Sequence, residues 1–237
     1  MQIAVLSDIH ANLEAFRCVL GDIDSRRPGV EEIIALGDTL GYGPEPEACM
    51  NLLRESGIVS VQGNHELAVA HPKYRPWFNP QAREALHWTR ERVSDETMAY
   101  IRELPMFLIR HGCLFVHGLP PDSAFKYLYD VTDDDMADLF ERFAEAAAFI
   151  GHTHELALVT WDGRRAMRSR LQQGSRRLDR SRRYIINIGA VGQPRDEDNR
   201  AKYVLWNTDT RELTVRYVAY DRKPAAAGFQ SAGEPDP

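Results

Sequence analysis

Five short segments of this chain concentrate the side chains able to hold a metal ion: Asp8-Ile9-His10, Gly37-Asp38, Gly63-Asn64-His65-Glu66, His117-Gly118 and Gly151-His152-Thr153-His154. Five of the eight histidines fall in them. Every segment but the first carries a glycine beside its ligand, where a tight turn or a close backbone approach is needed. His152 and His154 stand two apart, so in extended chain they share a face and reach one centre. The donors are carboxylates, imidazoles and one amide, with no thiolate, which suits manganese first, then iron, zinc or nickel. Asp8, His10, Asp38, Asn64, His117, His152 and His154 make seven candidates, too many for one ion that keeps a position open for substrate. Two divalent ions are therefore predicted, close enough to share a carboxylate and to clamp both oxygens of a phosphoryl centre.

The elements that must position these donors are apolar runs. Ile3 to Leu6, Ile33 to Leu36, Ile58 to Val61, Leu114 to Val116 and Ala147 to Ile150 each read as a short buried strand, and a ligand segment follows each. A helical pattern at Leu13, Phe16, Val19, Leu20 and Ile23 follows the first, with Asn12 as cap and Arg26-Arg27-Pro28-Gly29 as stop. Pro44 and Pro46 open a second helix running to about Ser56. Residues 80–103 predict a helical hairpin broken near Ser94, and 134–145 another helix. The last third has strand composition at 157–161, 165–168, 184–188, 203–206 and 213–219, with a hairpin turn at Asp162-Gly163. The chain thus reads as one domain over 1–222, a layered α/β sandwich whose strand ends deliver loops to one rim. The Pro-, Ala- and Gly-rich residues 223–237 are expected to be disordered.

Composition excludes several classes. With 237 residues, 43% of them hydrophobic, the chain can bury a sizeable core and is not intrinsically disordered. No apolar run approaches membrane-spanning length, and the N-terminus reads straight into a strand with no signal peptide, so a cytoplasmic protein with no membrane partner is expected. Cys18, Cys49 and Cys113 are odd in number and far apart, fitting neither a disulfide framework nor a thiolate metal site. A net charge of −6 disfavours a general nucleic-acid binder without excluding one. The balance is uneven: Arg164 to Arg183 contains nine arginines against the single acid Asp179, a run read as a solvated hairpin or a polyanion-recruiting patch.

Taken in order, the five segments resemble the motifs of the calcineurin-like metallophosphoesterase superfamily. Residues 187–196, Asn-Ile-Gly-Ala-Val-Gly-Gln-Pro-Arg-Asp, resemble a segment near the end of its small bacterial and archaeal members. The resemblance implies a four-layer αββα sandwich of two mixed β-sheets and a dinuclear phosphoesterase that cleaves a P–O bond by metal-hydroxide attack. It implies that Asp8, His10 and His154 bind one ion, that Asn64, His117 and His152 bind the other, and that Asp38 bridges them. It also makes His65 the group that contacts phosphate and protonates the leaving oxygen. Small stand-alone members carry Cys-Asp where this chain has His65-Glu66, the arrangement of the phosphodiesterase and protein-phosphatase branches. Asn64, Tyr42, between two glycines, and Arg195 are further candidates for substrate contact. The implied substrate is a small phosphodiester or nucleotide, then a phosphomonoester, including a phosphoprotein. The alternatives are a nuclease and a non-catalytic interaction scaffold on the same fold.

Overall fold

Both faces of the strand Gln2–Leu6 are apolar, so it must be covered twice. Ile3 and Val5 point into one buried layer, and Ala4 and Leu6 into another. In the computed structural model, which describes residues 1–26 and 29–222, that demand is met by two sheets packed face to face with helices outside. The expected disordered tail, 223–237, lies outside the described residues.

The first half of the chain contributes β1 (Gln2–Leu6), α1 (Leu13–Asp24), β2 (Glu32–Ala35), α2 (Pro46–Glu55), β3 (Val59–Ser60) and α3 (Asn64–Ala70). A 3₁₀ turn over Pro72–Trp77 leads to α4 (Pro80–Arg92) and α5 (Asp95–Glu103), then β4 (Phe107–Arg110) and β5 (Cys113–Val116). After α6 (Met136–Glu141) come β6 (Ala147–Ile150), β7 (Leu156–Trp161), β8 (Ala166–Arg170), β9 (Gly174–Arg177), β10 (Arg183–Ile188), β11 (Ala201–Asn207) and β12 (Glu212–Val218). One six-stranded sheet runs β3-β2-β1-β11-β12-β9, the other β4-β5-β6-β10-β7-β8. Both are mixed: β1, β2 and β3 are parallel, as are β5, β6 and β10, and the remaining pairs are antiparallel.

Between the sheets lies a layer containing Val5, Ile34, Phe115, Phe149, Ile186, Val204 and Trp206. Each such side chain contributes about 1.5–3 kcal/mol on leaving water. On the outer face of the first sheet, Phe16, Val19 and Ile23 of α1 cover Ala4, Leu6 and Tyr203. Met136, Leu139 and Phe140 of α6 cover the outer face of the second. Among the described residues, no helix is long and apolar enough to cross a membrane.

Local signals placed most of these boundaries. Asn12 Oδ1 accepts the Ala15 N–H at 3.1 Å, capping α1, and Ser94 Oγ accepts the Thr97 N–H at 3.1 Å at the start of α5. Four expectations differ from the structure. The helix expected over 134–145 is confined to Met136–Glu141. α1 stops at Asp24, with no basic residue in its last turn. Asn64, His65 and Glu66 open a helix instead of lying in a loop. Within the arginine run, Gly174–Arg177 forms a strand with no apolar face, held at the sheet edge by its pairing to β12. Main-chain hydrogen bonding suffices at an edge, and charge there discourages pairing with another chain.

Candidate metal centre

The centre forms where β1, β2, β3, β5 and β6 end. Asp8, His10, Asp38, Asn64, His65, His117, His152 and His154 converge there, each buried to within a few per cent of complete. Backbone conformation at this rim is unusual. Asp8, His10, Asp38, His152 and His154 all have φ between +47° and +68°, five of the nine non-glycine residues with positive φ among those described. Such conformations cost about 1–3 kcal/mol each and persist only where the surroundings enforce them.

The enforcement is visible in the hydrogen bonds. His10 N–H donates to Asp38 O at 2.9 Å, and Asp8 N–H to Gly37 O at 3.2 Å. Val191 and Gly192 donate to Ser7 O and Asp8 O, both at 2.9 Å. A Cβ at Gly192 would lie 1.7 Å from Ile9 O, so the first ligand loop receives its close-packed glycine from the far end of the chain. Asn187 Nδ2 donates to Gly151 O and Thr153 Oγ1, holding the segment that carries His152 and His154. The segment 187–195 therefore acts as a brace for two ligand loops.

Four of the imidazoles, all but His65, have one nitrogen committed outward. Nδ1 of His10, His117 and His154 donates to the carbonyls of Leu40, Leu36 and Gln193 at 3.0, 2.8 and 2.6 Å. His152 uses Nε2, toward Phe125 O at 3.2 Å. In a neutral ring such a bond fixes the tautomer, and in all four it turns the other nitrogen inward. Nε2 of His10 and His154 then face each other at 3.1 Å. His117 Nε2 faces Asn64 Oδ1 at 2.9 Å, His152 Nδ1 at 3.2 Å and Asp38 Oδ2 at 3.3 Å. Asp8 Oδ1, 3.3 Å from His154 Nε2, has no hydrogen-bond partner among the described residues. Inward-facing lone pairs at these separations fit a cation, and the hard and borderline donors fit a divalent one. The donors group as Asp8, His10 and His154, and as Asp38, His117 and His152; a third grouping joins His10, Asp38 and His65.

Burial opposes charge on both aspartates, yet His154 beside Asp8 and His117 beside Asp38 hold each well below the usual carboxylate range. Burial pushes His152 down to about 3 and His65 to about 4. For His117 burial is outweighed by Asp38, which holds it up to about 9.

Residues 1–211 match the model of the calcineurin-like phosphoesterase superfamily domain. The chain belongs to this superfamily. It is 33% identical to an uncharacterized protein of Methanocaldococcus jannaschii over 94% of this chain and 89% of that one. It is 36% identical to a metallophosphoesterase from Sphaerobacter thermophilus whose crystal structure superposes with a TM-score of 0.85, covering 100% of this chain and 95% of that one. A hypothetical protein from Pyrococcus horikoshii, at 18% identity, shares the fold with a TM-score of 0.78 over 99% of this chain and 94% of that one.

Within this superfamily member, all seven expected donors and His65 meet at one centre, and Tyr42 and Arg195 line the cleft of about 310 Å³ that opens from it. The glycines around Tyr42 serve the turn as well: Gly41 has φ +83°, and a Cβ there would lie 2.0 Å from His65 Nδ1. His71, His87 and His111 stay outside the cleft, and His111 pairs with Glu32 at 2.6 Å. Reading the sequence missed Glu66. Its two oxygens accept the N–H groups of Asp38, Thr39, Leu40 and Gly63 at 2.7–3.1 Å, so a buried carboxylate shapes the Asp38 loop. Burial, and after it Asp38, push this carboxyl up to about 7 against the pull of those donors. Its place in the first turn of an apolar helix was the available signal. Missed also were Trp77, Phe78, Phe125 and Tyr127, cleft residues whose segments carry no motif.

Proposed function

We propose that the chain is a dinuclear metal-dependent phosphoesterase acting on a phosphodiester, a nucleotide or a phosphomonoester. The observation that carries this reading is the pair of imidazole lone pairs, on His10 and His154, facing each other across 3.1 Å at the foot of an open cleft. Asp8, His10 and His154 would hold one ion, Asn64, His117 and His152 the other, with Asp38 between them; the mixed carboxylate and imidazole set suits manganese, iron, zinc or nickel. When bound, such ions polarise phosphoryl oxygens and lower the pKa of water enough for attack on phosphorus near neutral pH. His65, 3.9 Å from Asp38 Oδ2 through Nε2, is the side chain that would meet a phosphate oxygen and return a proton to the leaving group. Arg195 donates to Gln193 Oε1 at 3.4 Å and lies beside Tyr42 in the cleft lining, where its guanidinium would meet a phosphate oxygen. Tyr42 sits between His10 and His65, with ring centroids 4.9 and 4.7 Å away, and would close that side of the substrate.

Metal analysis of the purified chain, followed by a panel of nitrophenyl mono- and diesters with manganese, iron, zinc and nickel, tests the proposal. About two ions per chain and metal-dependent turnover are expected. Fewer than one ion, with no turnover after manganese addition, would establish the interaction scaffold instead.

A further inference from the structure

The cleft above the metal centre is walled by aromatic rings that the phosphoesterase reading leaves without a task. From His65 outward, ring centroids run to Phe78 at 5.1 Å, from Phe78 to Phe125 at 6.2 Å and from Phe125 to Trp77 at 4.6 Å. All three contacts are edge-to-face, with interplanar angles of 87°, 76° and 69°, and Tyr74 supports the pair from beside it, 5.3 Å from Phe125 at a 35° tilt and 5.7 Å from Trp77. Across the cleft Tyr127 lies flat on His152, centroids 3.9 Å apart and planes 10° apart, and Tyr129 lies flat on Tyr127. Trp77 is 66% exposed and Tyr129 65%, the two most exposed large hydrophobics among the described residues. Leaving such rings in water forgoes burial, which points to an occupant that covers them.

The Trp77 platform is also stiff. Pro72, Pro76 and Pro80 bracket it, and Arg75 Nε donates to Ala68 O at 3.2 Å, tying the 3₁₀ turn to α3. Phe125 is held by its own N–H donating to Ser123 Oγ at 3.3 Å. Ordered rings bind a flat ligand at small entropic cost.

Resting on the phosphoesterase reading, we infer that the alcohol portion of the substrate is a nucleoside, its base stacked on the Trp77–Phe125 platform while its phosphate lies at the metal centre. The platform begins one ring beyond His65, within the reach of a nucleoside whose phosphate contacts His65. Stacking serves any base because every base has a π-face, so little discrimination is expected among bases beyond a preference for the larger purines. A phosphoserine side chain or a glycerol headgroup has no ring to offer this wall. The cleft volume of about 310 Å³ stands at the small end of the range for ligand sites and suits one nucleoside.

The test uses the full manganese-loaded chain and two phosphonates whose P–C bonds resist hydrolysis, adenosine 5′-phosphonate and ribose 5-phosphonate, titrated by calorimetry. The base should tighten Kd about tenfold to a hundredfold. Trp77→Ala should bring that advantage to within about threefold, and Trp77→Phe should restore most of it. Equal affinity for the two phosphonates, or equal affinity for adenosine phosphonate and an octyl phosphonate, would overturn the base site. Nitrophenyl ester hydrolysis is measured alongside. Turnover without a base advantage removes this inference and leaves the phosphoesterase intact; a base advantage without turnover removes the phosphoesterase and with it the nucleoside as a leaving alcohol, keeping only a nucleotide-binding cleft.

Discussion

At the scale of single residues, the roles proposed for Asp38 and His65 separate binding of the ions from use of them. Asn at position 38 accepts the φ of +51° that the loop imposes, and its Oδ1 can still take the His65 N–H that Asp38 accepts at 2.9 Å. Asp38→Asn should therefore stay folded while losing metal and turnover together, by roughly a hundredfold or more. A variant that keeps two metals and near-normal turnover would remove Asp38 from the bridge. His65 is fully buried, and burial pushes it down to about 4, so its ring is neutral at pH 7 until a bound phosphate's charge raises it. His65→Ala should keep its metals and lose about 10²- to 10⁴-fold on alkyl esters, with a smaller loss on nitrophenyl esters, which expel a stabilised phenolate. Equal losses on both would leave His65 a phosphate contact only, and loss of metal would make it a ligand.

At the scale of elements, side chains distant from phosphorus set the shape of the rim. Glu66 fills both oxygens with four backbone N–H groups, an arrangement an amide cannot reproduce because its NH₂ would point at donors. Glu66→Gln should lower stability by about 1–3 kcal/mol and metal affinity about 10- to 100-fold, read by urea unfolding and by metal titration. Normal affinity in that variant would mean that the Asp38 loop holds its shape unaided. The arginine run divides in a way its composition conceals. Arg183 donates to the carbonyls of Phe140, Phe143 and Glu145 and lies over the Phe143 ring at 4.5 Å, whereas Arg176 and Arg177 are exposed on the edge strand β9. Arg183→Ser should cost about 2–3 kcal/mol of stability. Arg176→Ser with Arg177→Ser should stay within about 0.5 kcal/mol and affect only salt-sensitive capture of a polyanion. A thermal melt of each variant decides between these roles.

At the scale of the whole molecule, the proposed metal occupancy should be linked to folding, since the donors come from residues 8 to 154 and meet only in the folded chain. Ions at 100 times their Kd should stabilise the fold by about 2.7 kcal/mol per site. The pH dependence follows from His117, whose pKa is raised from 6.5 to about 9 in the metal-free fold. Its proton stabilises that fold fully below pH 6.5, and the contribution is lost as pH rises through 9. An ion must displace the same proton, so metal affinity should rise about tenfold per pH unit up to that range. The gap in Tm between metal-loaded and metal-free protein should thus widen from pH 6 to pH 9; a constant gap would show that no proton is displaced. The donor side chains, their order at strand ends, the caps at Asn12 and Ser94 and the α/β layering were legible in the sequence, because each is a local pattern of apolar period, turn chemistry or donor type. The brace by residues 187–195 was not, since it depends on β1 pairing antiparallel with β11, Val5 opposite Val204. Nor were the four N–H groups on Glu66, the tautomers of the histidines, the aromatic platform and the division of the arginines. Each of these joins segments far apart in sequence or at a sheet edge, where partners are chosen by the shape and unsatisfied hydrogen-bonding groups of the assembled layers, which no window of neighbouring residues contains.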